Sequence, residues 1–129
     1  MQVWKHVRIT IQCVLSGALL SISAHASEEY PPLSDELASG RVVWLKNCET
    51  CHAYGIAGAP NPLQPPEWNK RLNTPLNTLY EHAIQGFYGK TDTFMPPRGG
   101  NPQLSDSEVQ SAVDYMLALA KFYLSIKER

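Results

Sequence analysis

The sequence has no excess of basic residues and no internal repeat. Its 129 residues include 11 lysines and arginines against 12 aspartates and glutamates, so the formal net charge is −1. Nucleic-acid-binding domains usually carry a basic face, and we therefore expect no such partner. Low-complexity tracts are also missing, and the length suits one compact domain but is too short for two.

A long apolar run is missing too, although the N-terminus has a shorter one. Residues 9–24 carry no charge, follow Lys5 and Arg8, and end in the Ala-His-Ala sequence of residues 24–26. A positive start, an apolar middle and an A-x-A end are typical of a secretory signal peptide. The uncharged run is shorter than the ~18 residues expected of a membrane-spanning helix. An uncleaved anchor is the alternative interpretation.

Cleavage after Ala26 would divide the chain into three parts. We expect a signal peptide at residues 1–26, a linker at residues 27–34 and one domain at residues 35–129. Cys13 should leave with the leader, because the preceding Gln12 is not the small residue that a lipoprotein signal requires. The exported chain would keep nine basic and twelve acidic residues, a net charge of −3. It would have no membrane span and would lie in the periplasm.

No convincing β-strand alternation is present, so we predict an all-α fold with long loops. The three predicted helices run from Asp35 to the cysteines, from Pro75 to the residue before Gly86, and from the capping box of Ser105 and Glu108 to about Leu124. Ser34 is the predicted cap of the first helix. Three modest helices cannot fill a core across such loops, whereas a bulky apolar group such as haem would.

Cysteine is scarce, and the two cysteines after the leader are closely spaced. Cys48, Cys51 and His52 form the sequence C-x-x-C-H, which is the attachment motif of c-type haem. Two thiols add to the two vinyl groups of haem, and the next residue, His52, is placed under the iron as its ligand. The motif predicts one covalently attached haem c.

Three other interpretations of the cysteine pair remain. A thioredoxin-type redox site would need a βαβ pattern, which we do not find. A zinc site would need a second Cys/His pair, and after His52 only His82 remains. A structural disulfide is the third interpretation.

The sixth iron ligand has three candidates: Met95, Met116 and His82. Met116 lies on the apolar stripe of the third helix, where a methionine most often fills the core. His82 falls off the apolar stripe of the second helix, which favours a solvated histidine. Met95 precedes two prolines that stiffen the backbone where a ligand must be held. Met/His ligation suits an electron carrier, and we favour Met95.

Pro60 lies eight residues after His52 in sequence. A ligating histidine normally donates its other N–H to a nearby acceptor, and the carbonyl of Pro60 is our candidate. The alternative is that Pro60 only shapes the loop, and the sequence does not separate the two.

These motifs together resemble the class I cytochromes c. Gly40, Trp44 and the C-x-x-C-H motif resemble the family's first helix and its haem motif. The run Met95-Pro-Pro-Arg-Gly-Gly-Asn101, followed by Leu104-Ser-Asp106, is similar to the bacterial cytochrome c5 group. Relatives often carry a second cysteine pair before the methionine, which residues 86–94 do not have. After Pro60 this chain has Asn61-Pro62, where the family often has Gly-Asp.

The resemblance implies a small all-α fold with three main helices around one largely buried haem. It implies iron ligation by His52 and Met95, and it places Trp68 and Arg71 near a haem propionate. A solvated surface charge is the alternative for Arg71. It also implies that the third helix crosses the first near Gly40, with Trp44 packed towards Ala112 and Tyr115. A close crossing would offset the ~1 kcal/mol that a glycine costs inside a helix.

We therefore expect a periplasmic carrier of single electrons between redox partner proteins, not an enzyme. One alternative is a haem subunit docked permanently to a periplasmic dehydrogenase, which a large exposed apolar patch would favour. Another is a haem enzyme such as a peroxidase. That chemistry needs an open sixth position, and Met95 would close it.

Overall fold

The computed structural model describes residues 33–128, apart from the side chain of Pro65. The predicted signal peptide and most of the predicted linker therefore lie outside the described residues. The helices are α1 (Asp35–Asn47), α2 (Glu49–His52), α3 (Trp68–Arg71), α4 (Leu76–Gln85) and α5 (Asp106–Lys127). Two short strands, β1 (Phe87–Tyr88) and β2 (Phe94–Met95), lie between α4 and α5. Helices and long loops dominate, so the all-α prediction is confirmed.

Helix α5 supplies the core on both of its sides. One cluster of buried residues joins it to α1 and comprises Trp44, Ala112, Tyr115 and Leu119. A second cluster joins it to α4 and comprises Ala83, Val109 and Val113. Because both clusters share α5, this helix sets where α1 and α4 lie relative to each other.

The predicted crossing at Gly40 is confirmed. A Cβ atom at Gly40 would overlap the backbone carbonyl of Ser111 on α5. One turn further along, the rings of Trp44 and Tyr115 meet edge to face with their centroids 5.7 Å apart. Aromatic pairs prefer such an arrangement. The backbone contact explains why glycine is needed at this position.

Two details of helix ends differ from prediction. The Ser34 side chain makes no capping bond. Its backbone carbonyl instead accepts the N–H groups of Leu37 and Ala38, at 3.0 Å each. Pro75 was predicted as the first helical residue of α4, but its extended ψ of 132° places it just before the helix. The capping box of Ser105 and Glu108 on α5 is confirmed.

A polar contact reinforces the packing of α4 on α5. The hydroxyl of Tyr80 donates to Asp114 Oδ1 at 2.6 Å. Desolvation, followed by the hydrogen bond and charge of Asp114, raises the pKa of Tyr80 to about 12. The phenol therefore stays protonated and remains a donor at neutral pH.

The β1–β2 hairpin was not predicted. Phe87 pairs with Met95, and Tyr88 pairs with Phe94, in antiparallel register. Strands of two residues are too short to show an alternating pattern in sequence. Among residues 33–128, no helix is long and apolar enough to cross a membrane.

Candidate functional site

The cysteine motif lies where α1 ends and α2 begins. Cys48 separates the two helices, and its N–H still donates to the Trp44 carbonyl at 2.8 Å. The N–H of His52 donates to the Cys48 carbonyl at 3.0 Å. Cys48 packs against the first core cluster, whereas Cys51 is exposed, and both are free thiols. One helical turn thus brings the two thiols and the imidazole of His52 together.

The Cys48 thiol is the more buried of the two thiols. Burial, followed by the charge of Cys51, raises its pKa to about 11. A thioredoxin-type site belongs to a βαβ pattern. Among residues 33–128 the strands form a two-stranded antiparallel pair, β1–β2, and no βαβ unit, so the thioredoxin interpretation does not fit this fold.

His52 is buried, with 6% of its surface exposed, and is held by one hydrogen bond. Its Nδ1–H donates to the carbonyl oxygen of Pro60 at 3.0 Å. Burial lowers the pKa of His52, the bond to Pro60 opposes this, and the charge of Arg71 lowers it further. A neutral imidazole that donates through Nδ1 leaves the lone pair of Nε2 for a metal.

The loop that presents Pro60 is fixed by the next residue, Asn61. Its Nδ2 donates to the Ala53 carbonyl at 2.7 Å, and its Oδ1 accepts the N–H of Leu63 at 2.8 Å. Asn61 is one of the positions where this chain departs from the cytochrome c5 pattern. Sequence reasoning gave it no role, although an Asn-Pro dipeptide is a recognised turn signal. Residues 48–61 are called the attachment segment below.

The three candidates for sixth ligand have three different environments. Met95 is half-buried on β2 and packs against the second core cluster. Met116 packs against the first core cluster, as expected of a core methionine. His82 stacks on Phe87, with the ring centroids 4.2 Å apart.

The residues that follow Met95 lie close to the cysteine motif. Residues 95–101, called the methionine segment below, include a tight turn at Pro97–Gly100. Gly99 has a φ of 63°, and a Cβ atom there would lie 3.0 Å from the Asn47 carbonyl oxygen. Asn47 directly precedes Cys48. The fold thus brings the two segments together although they are far apart in sequence.

Trp68 and Arg71 form a neighbouring pair on α3. Trp68 is buried, and the Arg71 guanidinium lies 6.0 Å from its ring centroid. The indole N–H groups of Trp44 and Trp68 are both buried with no hydrogen-bond partner among the described residues. Trp44 lies in the helix core, whereas Trp68 has a cation beside it. A buried N–H donor next to a guanidinium suits an anionic group such as a haem propionate.

The donors present therefore fit a covalently bound haem. They comprise two free thiols in the attachment spacing, an imidazole with a free Nε2, and an unused indole N–H beside a cation. Residues 35–116, more than half of the chain, match the family described as cytochrome c oxidase, cbb3-type, subunit III. The chain belongs to this cytochrome c family.

Relatives of this cytochrome carry two names. It is 45% identical to cytochrome c-555 of Prosthecochloris aestuarii over 85 residues, which cover 64% of this chain and 86% of that protein. Cytochrome c-555 of Chlorobaculum tepidum is 34% identical over 111 residues, 86% of this chain and 96% of that protein. Cytochrome c5 of Azotobacter vinelandii is 30% identical over 83 residues, 63% of this chain and 94% of that protein. The predicted likeness to the cytochrome c5 group is confirmed.

A solved structure gives the same fold. A chain in the crystal structure of an electron transfer complex of nitrite reductase with cytochrome c is 30% identical, with a TM-score of 0.56. The match covers 64% of this chain and 95% of that chain. This protein is thus a class I, mono-haem c-type cytochrome that transfers electrons, and Cys48 and Cys51 fit the motif for covalent haem attachment.

Proposed function

We propose that this cytochrome is an exported, periplasmic carrier of single electrons whose haem iron is ligated by His52 and Met95. The observation that carries the proposal is the contact of the methionine segment with Asn47, the residue before the cysteine motif. The haem, when bound, supplies a one-electron iron couple. The residues of the chain would attach it through Cys48 and Cys51 and ligate it through His52 and Met95.

On the attachment side, the support is the bond from His52 to Pro60. It fixes the ring orientation and leaves Nε2 as the ligating nitrogen. Pro60 would thus orient the ligand as well as shape the loop. Trp68 and Arg71 would bind a propionate through the indole N–H and the guanidinium, respectively.

On the opposite side, the support for Met95 is its place in the hairpin. Its backbone is paired with Phe87. A Cβ atom at Gly86 would lie 2.9 Å from the Met95 carbonyl oxygen, so the end of α4 packs directly on this residue. Met116, by contrast, lies within α5 and packs against the first core cluster, and the His82 ring stacks on Phe87. Ligation by Met95 would close the sixth position, so we expect no peroxidase activity.

The partners we propose are redox proteins, one donor and one acceptor. The structural relative is a chain in an electron transfer complex of nitrite reductase with cytochrome c. This supports a redox enzyme as one partner of the present cytochrome. Export would follow from the signal peptide at residues 1–26. Mass spectrometry of exported protein should find a chain that begins at Ser27, and a chain that retains Met1 would favour an uncleaved anchor.

An absorption spectrum of the purified protein tests the ligation. The oxidised form should show the charge-transfer band of methionine bound to ferric iron, and a pyridine haemochrome assay should report two thioether bonds. A band-free spectrum would contradict ligation by Met95. A haemochrome of free-vinyl haem would contradict attachment through both cysteines.

One observation favours a second function, that of a docked haem subunit of a dehydrogenase. The hairpin exposes the aromatic rings of Phe87, Tyr88 and Phe94, and Tyr88 has 78% of its surface exposed. Exposed apolar patches often mark interaction sites. Native mass spectrometry of the protein purified from its own cells distinguishes the two functions. A docked subunit would be found in a complex with its partner, whereas a free carrier would be found without one.

A further inference from the structure

One long-range polar contact joins the end of α1, directly before the cysteine motif, to the methionine segment. The Asn101 Nδ2 donates to the Asn47 Oδ1 at 2.9 Å, across 54 residues of sequence. The Asn47 Nδ2 donates in turn to the Val43 carbonyl at 2.9 Å. The Asn101 Oδ1 accepts the N–H of Gln103 at 3.1 Å.

The orientation of both amides is determined by these contacts. A backbone carbonyl can only accept and a backbone N–H can only donate. The Val43 carbonyl therefore fixes which end of Asn47 is its NH₂ group, and the Gln103 N–H does the same for Asn101. The oxygen of Asn47 must then face the NH₂ group of Asn101. Each partner is held in the orientation that the other requires.

The backbone between Met95 and Asn101 is stiff enough to transmit this contact. Pro96 and Pro97 restrict the chain directly after Met95. The N–H of Gly99 donates to the Pro96 carbonyl at 3.2 Å, and the N–H of Asn101 donates to the Arg98 carbonyl at 3.2 Å. A displacement of Asn101 would therefore move the residues next to Met95.

The middle of the methionine segment is held to the start of α5 by Arg98. Its guanidinium donates to the Leu104 carbonyl at 2.8 Å and pairs with Asp106 at 2.6 Å. The Asp106 side chain is 62% exposed, and ion pairs in water contribute little. Neither of these two contacts of Arg98 reaches α1. The polar contact on that side is the Asn47–Asn101 pair, together with the packing of Gly99 on Asn47.

We propose that Asn47 and Asn101 form a latch that holds the methionine segment against α1 and so positions Met95 over the iron. Both are positioning residues, because they would act through Met95. The inference rests on the proposed ligation by Met95. Loss of the latch should increase the fraction of molecules in which Met95 leaves the ferric iron, while the helices stay folded.

The experiment compares variants of the oxidised holoprotein. Asn101→Asp keeps the side-chain size but places a carboxylate oxygen against the Asn47 oxygen, and Asn47→Ala removes the latch from the other side. Asn73→Asp is the matched control, because the Asn73 Nδ2 also donates to a carbonyl, that of Asn69, at 2.8 Å. The methionine charge-transfer band is followed as the pH is raised, with far-UV circular dichroism and thermal unfolding in parallel.

Both latch variants should lose the band at lower pH than the wild type. Loss of one neutral hydrogen bond corresponds to a ~2- to 10-fold increase in the fraction of molecules in which Met95 has left the iron. The double variant should be no worse than the more affected single variant, because both single variants already remove the same Asn47–Asn101 contact. The control should keep the wild-type profile, even where its thermal stability falls.

Three results would overturn the latch. One is a band that persists in both latch variants as in the wild type. Another is a loss of the band that is proportional to the loss of thermal stability in every variant, the control Asn73→Asp included. The third is a wild-type protein without the band, which would refute ligation by Met95 and the latch together. If Asn101→Asp fails to take up haem, Asn47→Ala decides between these outcomes.

Discussion

The attachment segment and the methionine segment are held by different kinds of contact. In the attachment segment, Cys48, His52, Pro60 and Asn61 bond to residues at most eight positions away. In the methionine segment, Asn101 bonds to Asn47 across 54 residues, and Gly99 packs on the same helix end. These hydrogen bonds of the attachment segment are local, whereas the methionine segment combines local bonds with one that depends on the tertiary fold.

The difference has a consequence for the order in which the two segments loosen. Local helix bonds and a short loop can persist when distant elements separate, because little chain entropy opposes them. Each segment also holds one residue other than glycine in the left-handed region, Ala57 at a φ of 52° and Arg98 at a φ of 55°, so backbone strain does not separate the two segments. We therefore expect Met95 to leave the iron under milder conditions than His52.

The largest expected effect removes the covalent anchors. The double variant Cys48→Ala, Cys51→Ala should yield little folded protein, because haem supplies much of the core between the two segments. Denaturing gels stained for haem, with total yield measured in parallel, test this. The single variants should each lose normal covalent attachment. Full haem stain in the double variant would show that the cysteines do not attach it.

The second largest effect is expected when the proposed methionine ligand is replaced by a histidine, the ligand type of His52. Met95→His keeps six-coordination but replaces a neutral thioether, which favours ferrous iron, with a better donor to ferric iron. The reduction potential should fall, and the methionine charge-transfer band should disappear. Potentiometry and the oxidised spectrum measure both.

Met116→Leu is the control for this variant, because Met116 packs in the core. It should keep the band and cost less than ~1.5 kcal/mol of stability. Loss of the band in Met116→Leu and its survival in Met95→His would show that the wrong methionine had been chosen. Absence of the band from the wild type as well as from both variants would favour ligation by His82 or an open iron, and with it a haem enzyme.

A third variant tests the crossing of α1, which ends directly before the attachment segment, with α5, which follows the methionine segment. Gly40→Leu would force α1 away from the Ser111 backbone, and overpacking of this kind typically costs ~1–3 kcal/mol. Thermal unfolding should show a lower Tm than the wild type. Val42→Ala, on the exposed side of α1, should change it little. An unchanged Tm for Gly40→Leu would contradict the crossing.

The smallest effect concerns Arg98, in the methionine segment alone. Arg98→Ala loses the bond to the Leu104 carbonyl, which corresponds to ~0.5–1.5 kcal/mol of stability. Arg98→Gly loses the same bond but relieves the left-handed backbone, so it should be less destabilised. Denaturant unfolding of the holoprotein measures the difference. Equal loss in the two variants would mean that the backbone of Arg98 is not strained.

Sequence alone was sufficient where the chemistry is local. The C-x-x-C-H spacing predicts the covalent haem because five adjacent residues carry all of its attachment chemistry. The capping box of Ser105 and Glu108, and the start of α1 at Asp35, are likewise set within a few residues. Gly40 could be predicted as a crossing point because glycine inside a helix needs a compensating contact.

Apart from the crossing of α1 and α5, only the tertiary structure decided which distant residues meet. Asn47 and Asn101 have no local sequence signal, since an asparagine looks the same whether it is solvated or bonded to a residue 54 positions away. The two-residue strands around Phe87 and Met95 form because α4 and the methionine segment bring them together. Asn61 could be recognised as a turn residue, but not as the residue that holds the Pro60 carbonyl within hydrogen-bonding distance of His52. Such contacts depend on the packing of α1 and α4 on α5, and that packing is a property of the whole chain.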